Sequence, residues 1–268
     1  MPHQQKQAEA ENEASSNKKG GKPSKDKTSR VPQKEKISFD LKIRDFPFTE
    51  KQKAFIELAM HKDTRVIFLD GPAGSSKTCL AVYVALQMLQ SRKCGEIVYV
   101  RNLVESSSKG MGYLPGEADD KFSPFAKPLF DKLEEFLVKA EIDRLKKEDR
   151  IHAIPVNYLR GASFNALTCI FDETQNATMP EIVTCLTRLG KFSKFIFLGD
   201  HQQSDLNMNN GNGNGRSGFS RIIEAFDDEE SREKGIFCIK FDKSDILRSE
   251  LLKFIIEKLE QKNITHNS

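Results

Sequence analysis

Arg65-Val66-Ile67-Phe68-Leu69-Asp70-Gly71-Pro72-Ala73-Gly74-Ser75-Ser76-Lys77-Thr78 is the stretch that decides how this chain folds. A β-branched and aromatic run stops at a glycine-rich loop, and from Lys77 to Leu89 apolar residues recur at three and four positions. Strand, loop and helix in that order place backbone N–H groups and the positive end of a helix around a phosphate chain. Gly71, Pro72, Ala73, Gly74, Ser75, Ser76, Lys77 and Thr78 are the expected cradle. Lys77 would reach the β and γ phosphates, and the Thr78 hydroxyl would bind Mg²⁺. The phosphate-loop pattern calls for glycine where this chain has Ser76, which raises the question of whether a Cβ fits there.

Such a loop works with an acidic group at the end of another buried strand. Leu167-Thr168-Cys169-Ile170-Phe171-Asp172-Glu173 supplies it: Asp172 would hold Mg²⁺-bound water, and Glu173 would act as general base on the attacking water. A further strand, Phe195-Ile196-Phe197-Leu198, runs into Gly199-Asp200-His201-Gln202-Gln203, placing polar side chains at the same sheet edge. With runs at 96–100, 151–156 and 236–241, six strands alternate with helical patterns at 77–89, 124–139, 179–189 and 249–259. That alternation predicts an α/β fold, a parallel sheet with helices on both faces. Two segments interrupt it, a long loop over 105–122 and an Asn/Gly-rich insertion over 207–218 that reads as mobile.

Upstream, Phe48-Thr49-Glu50-Lys51-Gln52 opens a helix. Gln52 carries the paired donor and acceptor that read an adenine edge, but Thr-x-x-Gln is also a capping box with Thr49 at the N-cap. Spacing alone favours the cap.

These residues together closely resemble the PhoH family of P-loop ATPases, whose core is similar to one half of a superfamily-one helicase (RecA-like). The resemblance rests on 71–78, Arg101 to Glu105, Gly112 to Gly116, Leu159-Arg160-Gly161, Phe171 to Asn176, Leu186 to Gly190, Gly199 to Leu206 and Ile246-Leu247-Arg248, in that order along about 49–260. It implies that Gln52 contacts adenine, that Gln203 faces the γ-phosphate, and that Arg248 stabilises the transferring phosphoryl group. Arg160 and Arg188 match family arginines, with phosphate, RNA and a neighbouring subunit all open as partners. Ser76, Thr174 and His201-Gln202 depart from the family pattern, and the Asn/Gly-rich loop from 207 and the basic leader 1–36 look like additions of a sort seen in virus-encoded or otherwise divergent members. The resemblance further implies Mg²⁺-dependent ATP hydrolysis, an oligomeric ring such as a hexamer, and work on single-stranded RNA. The alternative is a nucleotide-binding switch or scaffold.

Composition narrows these classes. The chain has 268 residues and a formal charge of +3, but residues 1–36 hold 9 Lys and Arg against 5 Asp and Glu. Subtracting these from 42 and 39 leaves 33 basic and 34 acidic residues in 37–268, so no domain-wide basic surface is required there. The leader 1–36, almost without large apolar residues, reads as disordered, with a solubilising extension and an RNA tether equally open. Residues 37–268 are sized for a single P-loop domain, so motor action would need oligomerisation. No apolar run suits a membrane span or signal peptide, and the five cysteines include no close pair, so the expectation is a cytoplasmic protein with thiols as small core residues.

Overall fold

The computed structural model describes residues 41–101, 118–156, 159, 164–201, 217–246, 254 and 258. The expectations for the leader 1–36, for most of the 105–122 and 207–218 segments, and for nearly all of 249–259 lie outside these residues. Among the described residues six strands form one sheet in the order β3-β2-β4-β5-β1-β6. They are β1 (Val66–Asp70), β2 (Glu96–Arg101), β3 (Ile151–Pro155), β4 (Leu167–Asp172), β5 (Lys194–Gly199) and β6 (Ile236–Lys240). Every pairing is parallel. All strands therefore end on one edge, where the register sets Asp70 beside Gly199 and Arg101 beside Asp172.

Continuous apolar runs are what a sheet covered on both faces demands. Ile67, Leu69, Ile97, Tyr99, Ile170, Ile196 and Leu198 enter one core, and Val66, Phe68, Val98, Val100, Cys169, Phe171, Phe195 and Phe197 the other. The first core is shared with helices α1 (Glu50–Met60), α2 (Lys77–Gln90), α3 (Ala118–Phe136) and α4 (Lys139–Lys147). The second is shared with α5 (Met179–Leu186) and α6 (Gly218–Phe226), and α7 (Glu229–Glu233) leads into β6. At β5's end, Gly199 leaves room for the buried Phe219 of α6, because a Cβ there would lie 2.4 Å from the ring. The described cysteines are all free and four of the five are buried. No helix among the described residues is long and apolar enough to cross a membrane.

Helix boundaries differ from the sequence reading in several places, and α5 ends at Leu186 rather than at the expected 189. The helix expected over 124–139 starts earlier, at Ala118 inside the expected loop, and ends at Phe136. Val138 is extended and caps a separate helix, α4, with its N–H donating to Glu141 at 3.4 Å. Finally, Ser217 and Gly218 are not loop: the Ser217 hydroxyl accepts from the Ser220 N–H at 3.2 Å and starts α6.

Helix α1 has no basic residue in its last turn, and its carbonyls are capped from elsewhere. The ammonium of Lys194 donates to the carbonyls of Ala59 and His61, and that of Lys93 to Met60. Burial, with Lys93 and Arg65 nearby, lowers the Lys194 pKa to about 8. Above pH ~8 the folded state sheds a proton that the unfolded chain keeps to about 10.5, so this group raises stability as pH climbs through that window. Urea midpoints measured for wild type and Lys194→Met should diverge in favour of wild type as pH rises from 7.5 towards 10; a constant difference would refute this account.

Candidate functional site

The loop after β1 wraps the start of α2. Gly74 takes φ 85°, and Ser76 takes φ 63°, ψ 21°. The serine thus occupies the left-handed conformation for which the pattern asks glycine, at a backbone strain of about 1–2 kcal/mol. Its side chain does not cap α2, and the Ser75 hydroxyl turns back to the Pro72 carbonyl at 2.7 Å. The first N–H groups of α2 are thereby left for an anion to satisfy. Gly71 is fixed by packing, because a Cβ would come within 2.8 Å of the Phe241 Cβ. The Lys77 ammonium donates to the carbonyls of Gly71 at 2.6 Å and Pro72 at 2.9 Å. Burial lowers its pKa, against the opposing pull of Asp200, Asp172, Glu173 and Asp70.

Asp172, at the end of β4, ties three elements together. It accepts from the Tyr99 hydroxyl at 2.6 Å, from the Thr78 hydroxyl at 3.2 and 3.3 Å, and from the Glu173 N–H at 3.0 Å. Burial first, then the facing Asp172 carboxylate, pushes the Tyr99 pKa well above its usual range, so the phenol remains a donor. Glu173 is left-handed too, at φ 54°, and heads a 3-10 turn over Thr174–Asn176. Thr174, a family departure, satisfies its buried hydroxyl on the Phe171 carbonyl at 2.9 Å. The Glu173 carboxylate accepts from Gln175 Nε2 at 2.6 Å and lies 3.7 Å from Arg101 Nη2. After β5, the Asp200 N–H donates to Gln175 Oε1 at 3.1 Å. His201, another departure, sits with Nδ1 2.6 Å from Asp70 Oδ2 while its N–H donates to Asp70 Oδ1 at 3.1 Å.

These groups surround a cavity of about 400 Å³. Of the predicted site residues, Ala73, Gly74, Ser76, Lys77, Thr78, Asp172 and Glu173 line it. Gly71, Pro72 and Ser75 support the loop from behind. Gln52 is fully buried in the capping box, its Oε1 accepting the Thr49 N–H at 3.1 Å, and it does not line the cavity. Its Nε2 is buried without a hydrogen-bond partner among the described residues. Gln203, Arg160 and Arg248 lie outside the described residues, and Arg188 turns its Nε to the Thr184 carbonyl of α5. Sequence reasoning missed Tyr99, Gln175 and Asp70, and the outer wall of Phe46, Lys132 and Glu135. The Cys79 thiol on that wall is held protonated, pushed up to about 12 by burial and by Glu135. For Asp70 and Gln175 a legible signal was adjacency, since each lies within two residues of a motif already singled out.

The PhoH-like protein pattern matches residues 46–260, a span containing every described element from α1 to β6. The chain belongs to the PhoH-like protein family. It is 34% identical over 217 residues to a PhoH-like protein of Synechocystis sp., covering 81% of this chain and 62% of that one. It is also 34% identical to a PhoH-like protein of Bacillus subtilis, covering 77% of this chain and 61% of the relative. The chain thus spans less than two thirds of these relatives' own length. Among solved structures it is similar in fold to the large terminase of a thermophilic bacteriophage, with a TM-score of 0.49 at 12% identity over 80% of this chain and 50% of that one.

Within this PhoH-like site, Ser76 is the strained loop residue whose replacement has a clear sign. Ser76→Gly should raise stability by about 0.5–1 kcal/mol in urea unfolding, the relief of left-handed strain exceeding glycine's extra unfolded-state entropy. A lower midpoint for the glycine variant would show that the serine is not strained.

Proposed function

We propose that this chain binds ATP with Mg²⁺ and hydrolyses it. The observation that carries the reading is one cavity in which the uncapped start of α2, Lys77, the Thr78–Asp172 contact and Glu173 meet. The donor set of Thr78 and Asp172, a hydroxyl and a carboxylate, suits a hard cation such as Mg²⁺ that keeps most of its other positions for water and phosphate. When bound there, Mg²⁺ would neutralise charge on the β- and γ-phosphates.

The protein's own part is positioning. Backbone N–H groups of 74–78 cradle the phosphates, and Lys77 exchanges the Gly71 and Pro72 carbonyls for phosphate oxygens. Tyr99 and the Glu173 N–H hold the Asp172 carboxylate in place, aimed at Thr78. Glu173, on the cavity wall, accepts the proton of the attacking water. The unpartnered Nε2 of Gln52 supports an adenine contact, because a buried donor gains from any acceptor brought to it. Gln203 as the γ-phosphate contact and Arg248 as a charge-stabilising arginine, of the kind worth roughly 10³–10⁵ in rate, complete the reading.

The work so driven is proposed to concern RNA, performed by an oligomeric ring. What supports it is the resemblance to PhoH proteins and the net +4 of residues 1–36. A monomeric mass in ATP and Mg²⁺ by sedimentation would refute the ring. RNA-stimulated hydrolysis that disappears in a chain beginning at residue 37 would assign the leader its role.

Lys77→Ala should abolish turnover. Glu173→Gln should retain binding of a fluorescent ATP analogue while hydrolysis falls about 10²- to 10⁴-fold. Wild-type hydrolysis by Glu173→Gln would remove the assignment of the base, and a wild-type chain that binds ATP without hydrolysing it would favour the nucleotide switch.

A further inference from the structure

Gln175 occupies a place that the phosphate-loop reading does not explain. It sits in the 3-10 turn after Glu173, 3% exposed, where a polar side chain is retained only if its hydrogen bonds are made. A primary amide is a donor at one end and an acceptor at the other, and here the two ends face different strands. Nε2 donates to Glu173 Oε2 at 2.6 Å, beyond β4, while Oε1 accepts the Asp200 N–H at 3.1 Å, beyond β5. The short contact to a carboxylate is a charge-assisted bond, stronger than a neutral one. The other carboxylate oxygen of Glu173 faces Arg101 Nη2 at 3.7 Å, so each oxygen has its own orienting group.

We propose that Gln175 is a positioning residue that couples Glu173 to the segment leaving β5. The inference rests on the reading of Glu173 as general base. Glu173 is left-handed and its side chain 40% exposed, so packing alone does not fix its carboxylate. The amide does so, and it makes the position of Glu173 depend on Asp200, the residue after β5's last, Gly199. A displacement of the Asp200 backbone is then transmitted through two hydrogen bonds to the base. Neither glutamate, which cannot donate, nor an apolar residue substitutes for it.

The test is hydrolysis and nucleotide binding by the full chain, in wild type, Gln175→Met, Gln175→Glu, Glu173→Gln and the Glu173→Gln/Gln175→Met double variant. Methionine keeps the volume and removes both bonds; glutamate keeps the acceptor and carries the test if the methionine variant does not fold. For either single variant at 175, kcat should fall about 10²-fold, as for a misplaced catalytic group, with the affinity for a fluorescent ATP analogue unchanged. In single-turnover measurements on the Glu173→Gln background, Gln175→Met should add no further loss. A wild-type kcat in the Gln175 variants, a loss confined to ATP affinity, or losses that multiply in the double variant would overturn the coupling. A wild-type chain with no ATP hydrolysis would instead remove the reading of the site, and the inference with it.

Discussion

The Asp172 carboxylate is the constraint from which the site takes its shape. It lies buried at the edge of a parallel sheet, where an unpaired charge is costly. Its hydrogen bonds come from β2 through Tyr99, from α2 through Thr78, and from the backbone that turns towards Glu173. Three donors satisfy the charge, and in doing so they fix the height of α2's first turn relative to β4. The phosphate loop and the acidic strand end, which β5 separates in the sheet, are thereby held in one frame.

The same edge holds its conformational strain where chemistry would use it. Ser76 and Glu173 are both left-handed non-glycine residues, one beside the phosphate cradle and one presenting the carboxylate. Strain of this sort survives only where neighbours over-determine the backbone. At Ser76 the helix behind it does so, with nine buried side chains in α2. At Glu173 the 3-10 turn does so, with the Thr174 hydroxyl on the Phe171 carbonyl. Ser76 and Thr174 are thus absorbed differently: Ser76 accepts the backbone angle of glycine, and Thr174 brings a hydroxyl with an internal partner.

Much of the fold was legible because the physics that forms it is local. Runs such as Val66 to Leu69 bury both of their alternating faces, so six strands stand out within one residue of their ends. Helix α6 was hidden because the preceding Asn/Gly tract dominates its neighbourhood, although Phe219, Ile222, Ile223 and Phe226 have helical spacing. The division of α3 from α4 was hidden because the apolar spacing continues through Leu137, and the break comes from Val138 turning extended under a carboxylate cap. At the site, the cradle and the acidic pair follow from sequence order, since neighbours in sequence become neighbours in space. Tyr99 and Asp172 lie 73 residues apart and meet only through strand register, which no spacing rule reports.

Gln52 shows where two physical readings of one residue converge. Its Oε1 already accepts the Thr49 N–H and keeps one lone pair, whereas Nε2 has no partner among the described residues and is the end with most to gain from the proposed base contact. Adenine offers ring nitrogens as acceptors at N1, N3 and N7, whereas its exocyclic amine would have to share Oε1 with the Thr49 N–H. If the proposed contact uses Nε2 alone, discrimination against guanine would rest on which ring edge meets Gln52 rather than on a two-point match. The capping box that fixes α1 therefore weights the proposed Gln52 contact towards its donor end.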